Sequence, residues 1–226
     1  MMLKLHLESL NESVITEFLT TKHLDVLSSF DCGKDGEEQT TFARELAWMA
    51  HRNCLSTVYI VRKVDNPDDI ISYFTLSPFV VSIKIKSDMP EKRRELIEEL
   101  KNKLRDWLGI DVRYSSIPTI LLGQFGLKKE YRGQGIGKEI LGKIIVPYAV
   151  VSAAKVGEIG LSLHANKKVA KKVYLAENPY LAGKFEVISP GGTYELFYPF
   201  VEEVRQLREQ LVKNMLRKTS DRTNNS

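Results

Sequence analysis

The sequence predicts one mixed α/β domain: a twisted, mostly antiparallel sheet of six or seven strands flanked by helices. Three observations predict it. Short runs of alternating apolar residues are interleaved with amphipathic stretches of helical period. Pro and Gly punctuate these runs at close intervals, with no internal repeat or low-complexity linker. The chain has 226 residues, 43% of them hydrophobic, enough to fill a real core.

The elements follow in order. LKLHL (3–7) alternates as a strand, and Glu37–His51 reads as a helix with Phe42, Leu46 and Met49 on one apolar stripe. TVYIVRK (57–63) is a strand, the turn at 65–69 leads into IISYFTL, and Ser77-Pro78 passes into FVVSIKI, so 57–85 reads as an antiparallel meander. Pro90 opens a helix in which Leu96, Leu100 and Leu104 recur every four residues, and Gly109 ends it. IPTILLGQFGL (117–127) is apolar at nearly every position, which suits a central strand buried on both faces. KKEYRGQGIG then enters a long apolar helix reaching about Ala154, in which Pro147 must remove one helical hydrogen bond and can bend the axis. EIGLSLH is a further strand and Asn166–Glu177 a short helix. KFEVIS and TYELFY form a closing hairpin around Pro190-Gly191-Gly192, and 200–216 is an amphipathic helix. The domain is expected over 1–217, and KTSDRTNNS (218–226) as a disordered tail.

Composition excludes several classes. No run of about 18 apolar residues escapes a charge, and the N-terminus lacks the apolar stretch of a signal peptide, so a cytoplasmic protein with no membrane partner is expected. The two cysteines, Cys32 and Cys54, form no metal-ligand or disulfide spacing. The net charge of +4 is too small by itself to imply nucleic acid, but it is unevenly spread. Residues 1–50 carry four Lys and Arg against nine acids, whereas 125–175 carry ten against three.

Chemistry concentrates at Arg132-Gly133-Gln134-Gly135-Ile136-Gly137, between the buried strand and the long helix. Glycines at such a junction let backbone approach a ligand closely, and free N–H groups with the helix dipole favour a phosphate. A dinucleotide-binding run would follow the first strand of a βαβ unit, and GK followed by Ser or Thr is absent, so both of those nucleotide folds are disfavoured. Downstream, Asn166, Ala170 and Tyr174 recur every four residues and would share one helix face.

These motifs resemble the GNAT superfamily of acetyl-CoA-dependent N-acyltransferases. Its pyrophosphate loop has Arg or Gln, two residues, Gly, one residue, then Gly or Ala, a pattern that Arg132, Gly135 and Gly137 fit. The resemblance implies acetyl-CoA as co-substrate, with Arg132 to Gly137 and the adjoining Lys138 at its pyrophosphate. Backbone groups of Phe125, Gly126 and Leu127 would lie at the pantetheine arm and thioester, Asn166 at the pantetheine, and Tyr174 near the sulfur as catalytic acid. Phe30-Asp31-Cys32-Gly33, SYFTL (72–76) and Ile117-Pro118 through Leu121-Leu122-Gly123 are similar to one branch, toxins that acetylate aminoacyl-tRNA and their relatives. A charged helical insertion at about 86–113 and LAENPYLAGKF after Tyr174 depart from that branch, and both sit where substrate could be contacted.

The resemblance implies direct transfer of acetyl to a primary amine, such as the α-amine of aminoacyl-tRNA. A phenol with reference pKa about 10 stays protonated beside a thiol of about 8.5 and can serve as acid. No base is identifiable from sequence. An α-amine near about 7.7–8.0 is already substantially neutral, whereas a lysine amine near about 10.4 would demand one. Other readings stay open: a small-molecule or protein amine as acceptor, or a non-catalytic acyl-CoA-binding module. A lone glycine run is often only a loop, a buried Tyr is usually packing, and His164, near a strand end, is either a base or simply hydrogen-bonded. Lys128, Lys129, Lys167, Lys168, Lys171 and Lys172 either form a solvated face or grip phosphates of CoA or RNA. The resemblance leaves room for a homodimer and for a separate antitoxin; no antitoxin-like segment is recognisable in the chain itself.

Overall fold

A computed structural model describes residues 3–109 and 115–223, with side chains over 4–109 and 115–213. Among the described residues eight strands make one sheet in the order β1-β2-β3-β4-β5-β6-β8-β7, one strand more than the upper expectation. β1 (Leu3–Leu7) and β2 (Glu12–Phe18) form the first hairpin. β2 escaped the sequence reading because Thr16 and Glu17, polar residues, are both buried in it and erase the alternation. Glu17 is tolerated there because Arg62 Nε (2.5 Å), Lys22 Nζ (3.0 Å) and His23 Nε2 (3.1 Å) surround its carboxylate. Burial works against that charge, yet these donors outweigh it and hold the carboxyl at about 2.

After the short helix α1 (Leu24–Ser28), α2 (Glu37–Thr41), a π turn (Phe42–Leu46) and α3 (Ala47–Arg52) follow one another. The expected stripe is corrected here. Ala43, Ala47 and Ala50 face the core, Phe42 is half-buried, and Leu46 and Met49 are exposed, because the π turn inserts a residue and rotates the α3 face.

β3 (Thr57–Lys63) and β4 (Ile70–Ser82) are antiparallel, and β4 continues through Ser77-Pro78 as one strand, so the expected three-strand meander has two. α4 (Glu91–Leu108) ends on Gly109 at φ +67°, a left-handed cap that favours Gly. Its core side is Ile97, Leu100 and Leu104, spaced i, i+3, i+7, with Leu96 only half-buried. The last expected residues of that insertion, 110–113, lie outside the described residues.

β5 (Ser116–Leu127) is central, antiparallel to β4 and parallel to β6 (Gly160–Asn166). Between them run α5 (Ile136–Ile140), a π turn (Leu141–Ile145) and α6 (Val146–Val156) as a continuous helix. Pro147 does not break it: the preceding turn widens so that Val146 N–H bonds Leu141 O, absorbing the missing donor. After α7 (Lys167–Val169) and a π turn (Ala170–Tyr174), β7 (Glu186–Ser189) and β8 (Thr193–Pro199) close the sheet.

α8 (Val201–Thr223) runs well past 216, so the expected tail is helical as far as Thr223. No Pro or Gly interrupts 201–223, which leaves nothing local to stop it. Residues 224–226 lie outside the described residues.

Strand alternation sorts the core into two faces. Phe74, Leu76, Ile120, Leu122, Leu161 and Leu163 pack under α5, α6 and α8. On the opposite face α1–α3 cover Ile60 and Tyr73, while α4 covers Val81, Ile117 and Phe197. No helix among the described residues is long and apolar enough to cross a membrane.

Candidate active site

The β5–β6 ladder pairs Ile120 with Leu161, Leu121 with Ser162 and Leu122 with Leu163, then stops. Both strands continue, β5 to Leu127 and β6 to Asn166, so they part into a slot. On its far edge β5 stays bonded to β4, with an irregularity opposite Thr75 where Gln124 N–H bonds Thr75 Oγ1 at 2.8 Å. Lys128 N–H bonds Ile71 O at 2.9 Å, and antiparallel alternation therefore turns Gly126 toward β4 and Phe125 and Leu127 toward the slot. Gly126 also lies against Tyr73, where a Cβ would meet the ring at 2.2 Å. Of the three residues expected at the thioester, Phe125 and Leu127 present backbone to the slot and Gly126 does not.

The glycine loop adjoins this strand end. Gly133 and Gly135 have φ of +80° and +81°, and a Cβ on Gly137 would touch Leu127 at 3.5 Å. The first helical bonds run from Lys138 and Glu139 N–H to Gly135 O, so the N–H groups of Ile136 and Gly137 precede the ladder. Gly133, Gln134 and Gly135 are exposed, and Gln134 is tethered to Glu130 O at 2.9 Å. Arg132 turns inward rather than outward. Its Nε donates to Leu127 O at 3.3 Å, and its guanidinium lies so close to Gly36 that a Cβ there would meet it at 2.4 Å. Buried Cys32 sits beside it; burial pushes that thiol up, against a smaller opposing pull from Arg132. Arg132 thus braces the loop from behind.

The Phe30–Gly33 segment supports the same corner. Asp31 accepts Gly33 N–H at 2.7 Å and Lys129 Nζ at 2.8 Å, and Lys129 N–H returns to Asp31 O at 2.8 Å. Sequence reasoning missed Glu139. This fully buried carboxylate accepts Glu8 N–H (2.7 Å), Ser9 N–H (2.9 Å) and Lys143 Nζ (2.9 Å), fastening the β1–β2 turn beside Gly135. The Glu139/Lys143 spacing of four was the available signal.

On the other side of the slot, Asn166 is exposed and its Oδ1 caps α7 by accepting Val169 N–H at 2.9 Å, so its side chain serves the helix rather than an aligned ridge. Ala170 and Tyr174 are buried in the same apolar cluster as Phe125 and Leu127. Tyr174 packs edge-on against Phe185 at 5.4 Å, and burial pushes its phenol up, which keeps it protonated. A pocket of about 440 Å³ lies between Tyr174 and Leu175–Lys184. That departure loop is held on the long helix: Asn178 Nδ2 donates to Lys138 O at 3.1 Å and Lys138 Nζ to Glu177 O at 2.8 Å.

The basic residues divide. Lys128 is held by Asp69 (3.2 Å) and Glu130 (3.1 Å), Lys129 by Asp31, and Lys168 by Asp35 (3.3 Å), while Lys167, Lys171 and Lys172 are exposed.

A split central pair with a glycine-capped helix at its mouth can be compared with known folds. No family model matches the sequence, and no curated protein does. Solved structures do match. The structure titled AtaTR bound with AcCoA is 22% identical, covering 86% of this chain and 97% of that one, with a TM-score of 0.59. This chain shares the fold of that structure. A tyrosine-to-phenylalanine mutant of KacT is 22% identical over 86% of this chain and 98% of its own, with a TM-score of 0.60. AtaT complexed with acetyl-methionyl-tRNAfMet is 22% identical over the same shares, with a TM-score of 0.58. The slot lies between the two parallel central strands, and the segments 91–108 and 175–185 flank opposite faces of the sheet.

Proposed function

We propose that this chain is an acetyl-CoA-dependent N-acetyltransferase that passes acetyl directly to a primary amine, with the α-amine of aminoacyl-tRNA as preferred acceptor. The parting of β5 from β6 after Leu122 and Leu163 carries the reading. It leaves the backbone of Phe125 and the N–H of Leu127 to a linear amide-bearing arm, Leu127 O being held by Arg132, while the Gly133–Gly137 turn offers N–H groups to a diphosphate. A thioester carbonyl held there would be polarised by pre-aimed donors, each typically contributing about 2.7–4 kcal/mol to the transition state. Tyr174, protonated and on the α5–α6 face, supplies the acid for the departing thiolate. The acetyl-CoA and acetyl-methionyl-tRNA named for the similar structures, and the exposed Lys167, Lys171 and Lys172, support the choice of co-substrate and acceptor. The similar structures also include AtaT bound to the C-terminus of the antitoxin AtaR, which supports a separate antitoxin as a partner of this chain.

Labelled acetyl transfer from acetyl-CoA to bulk aminoacylated tRNA, beside deacylated tRNA and a mixed pool of free amines and peptides, tests this. Label on charged tRNA alone is expected. Label only on free amines or peptides moves the acceptor to a small-molecule or protein amine, and CoA binding without transfer makes the chain a binding module.

A further inference from the structure

We propose that His164 takes the proton from the attacking amine, working from the face of the sheet opposite Tyr174. The assignment rests on the acetyl-transfer reading above and supplies the base that the sequence left unnamed.

His164 is the first β6 residue past Leu163, where the ladder to β5 has just ended, so it stands at the mouth of the slot with Gly123 on the β5 side. Alternation along β6 decides its face. Leu161, Leu163 and Ala165 point into the cluster that holds Tyr174, Phe125 and Leu127, so Ser162 and His164 point to the other side. Ser162 meets Thr119 there at 2.8 Å, and the His164 ring stands edge-on to Phe79 at 5.9 Å. A carbonyl lodged between the strands therefore meets a phenol on one face and an imidazole on the other. The amine adds to one face of the planar thioester carbonyl and the thiolate leaves from the tetrahedral intermediate, so a base on the side of attack and an acid near sulfur can be separate groups.

The surroundings leave the imidazole open. His164 is exposed, lying between the α1–α3 cover and the α4 cover of that face. The charged groups about it are Glu195, its cross-strand partner on β8, and Arg93 of α4, which reaches Glu195 at 3.6 Å. Beyond the slot mouth, Glu38 of α2 accepts from Gln124 Nε2 at 3.3 Å, and Lys168, four residues after His164, pairs with Asp35 at 3.3 Å. Arg93 holds the Glu195 carboxylate on that face of the sheet. Imidazole is the side chain that exchanges a proton most readily near neutral pH.

The step balances as follows. The amine nitrogen forms the C–N bond to the acetyl carbon, its surplus proton passes to a His164 ring nitrogen, and the C–S bond breaks with the Tyr174 proton going to sulfur. Products are the acetamide and CoA thiol; solvent then takes the imidazolium proton and restores the phenol.

The test measures acetyl transfer by the full-length chain from mildly acidic to alkaline pH, with the acceptor that wild type uses. His164→Ala is expected to lower kcat by roughly 10²- to 10⁴-fold, leave acetyl-CoA affinity unchanged and lose the acid limb of the kcat/KM profile. Added imidazole should restore part of the rate. His164→Asn, similar in size, repeats the test if the alanine variant does not fold. A variant that keeps the wild-type profile overturns the assignment, as does loss through acetyl-CoA KM alone. Loss of the acid limb in Glu38→Gln but not in His164→Ala gives the role to Glu38 and likewise overturns it. Wild type that transfers acetyl to no amine removes the transfer reading itself, and the assignment with it.

Discussion

Leu122 and Leu163 are the last residues that β5 and β6 share, and they set where the central sheet opens. Both are buried on the α5–α6 face, so the opening point is fixed by core packing as well as by strand register.

The proposed mechanism assigns acid chemistry at that opening to Tyr174. Tyr174→Phe keeps the edge-on packing with Phe185 and removes only the proton donor. It should lower kcat by roughly 10²-fold or more while acetyl-CoA affinity holds. Steady-state kinetics beside calorimetric binding read the two separately, and an unchanged kcat would count against the acid role.

At the loop, Gly135→Val places a β-branched residue at φ +81°. The left-handed conformation costs an L residue about 1–2 kcal/mol, so the loop would shift and acetyl-CoA affinity should fall by roughly tenfold or more. Equal dissociation constants for variant and wild type would displace the phosphate from this loop.

Glu139 is a structural counterpart. Glu139→Gln leaves Lys143 and the two N–H groups of Glu8 and Ser9 without their carboxylate. About 1–3 kcal/mol of stability should go, and amide exchange at residues 8 and 9 should quicken before the rest of the sheet is affected.

Glu17 governs the acid side of stability. Its folded pKa of about 2 lies below the ordinary carboxylate value, so its contribution is present above about pH 4.3 and is lost as pH falls through 2. Glu17→Gln should cost on the order of 3 kcal/mol at neutral pH, and the gap in melting temperature from wild type should close as the solution is acidified toward 2. A gap that stays constant with pH would mean that the Arg62, Lys22 and His23 contacts do not act through charge.

Much of this fold is legible in the sequence. The apolar run 117–127 is the central strand, and the glycine run does open the long helix, because backbone-permissive residues and continuous apolar runs leave direct traces in sequence. What was hidden shares one cause. Thr16 and Glu17 break the pattern of β2 because their polarity is satisfied by partners far along the chain. Leu46 and Met49 lost the core to alanines because a π turn, which no spacing announces, rotated the helix. Asn166 and Arg132 sit where the motif puts them, but their side chains are taken by Val169 N–H and Leu127 O, choices made by tertiary geometry.

The parted strands also decide what a ligand need not do. The β5–β6 ladder is already absent beside Phe125 and Leu127, so an amide entering as proposed would tear no strand pairing there. The work of parting the strands was done in folding, so it is not charged to binding.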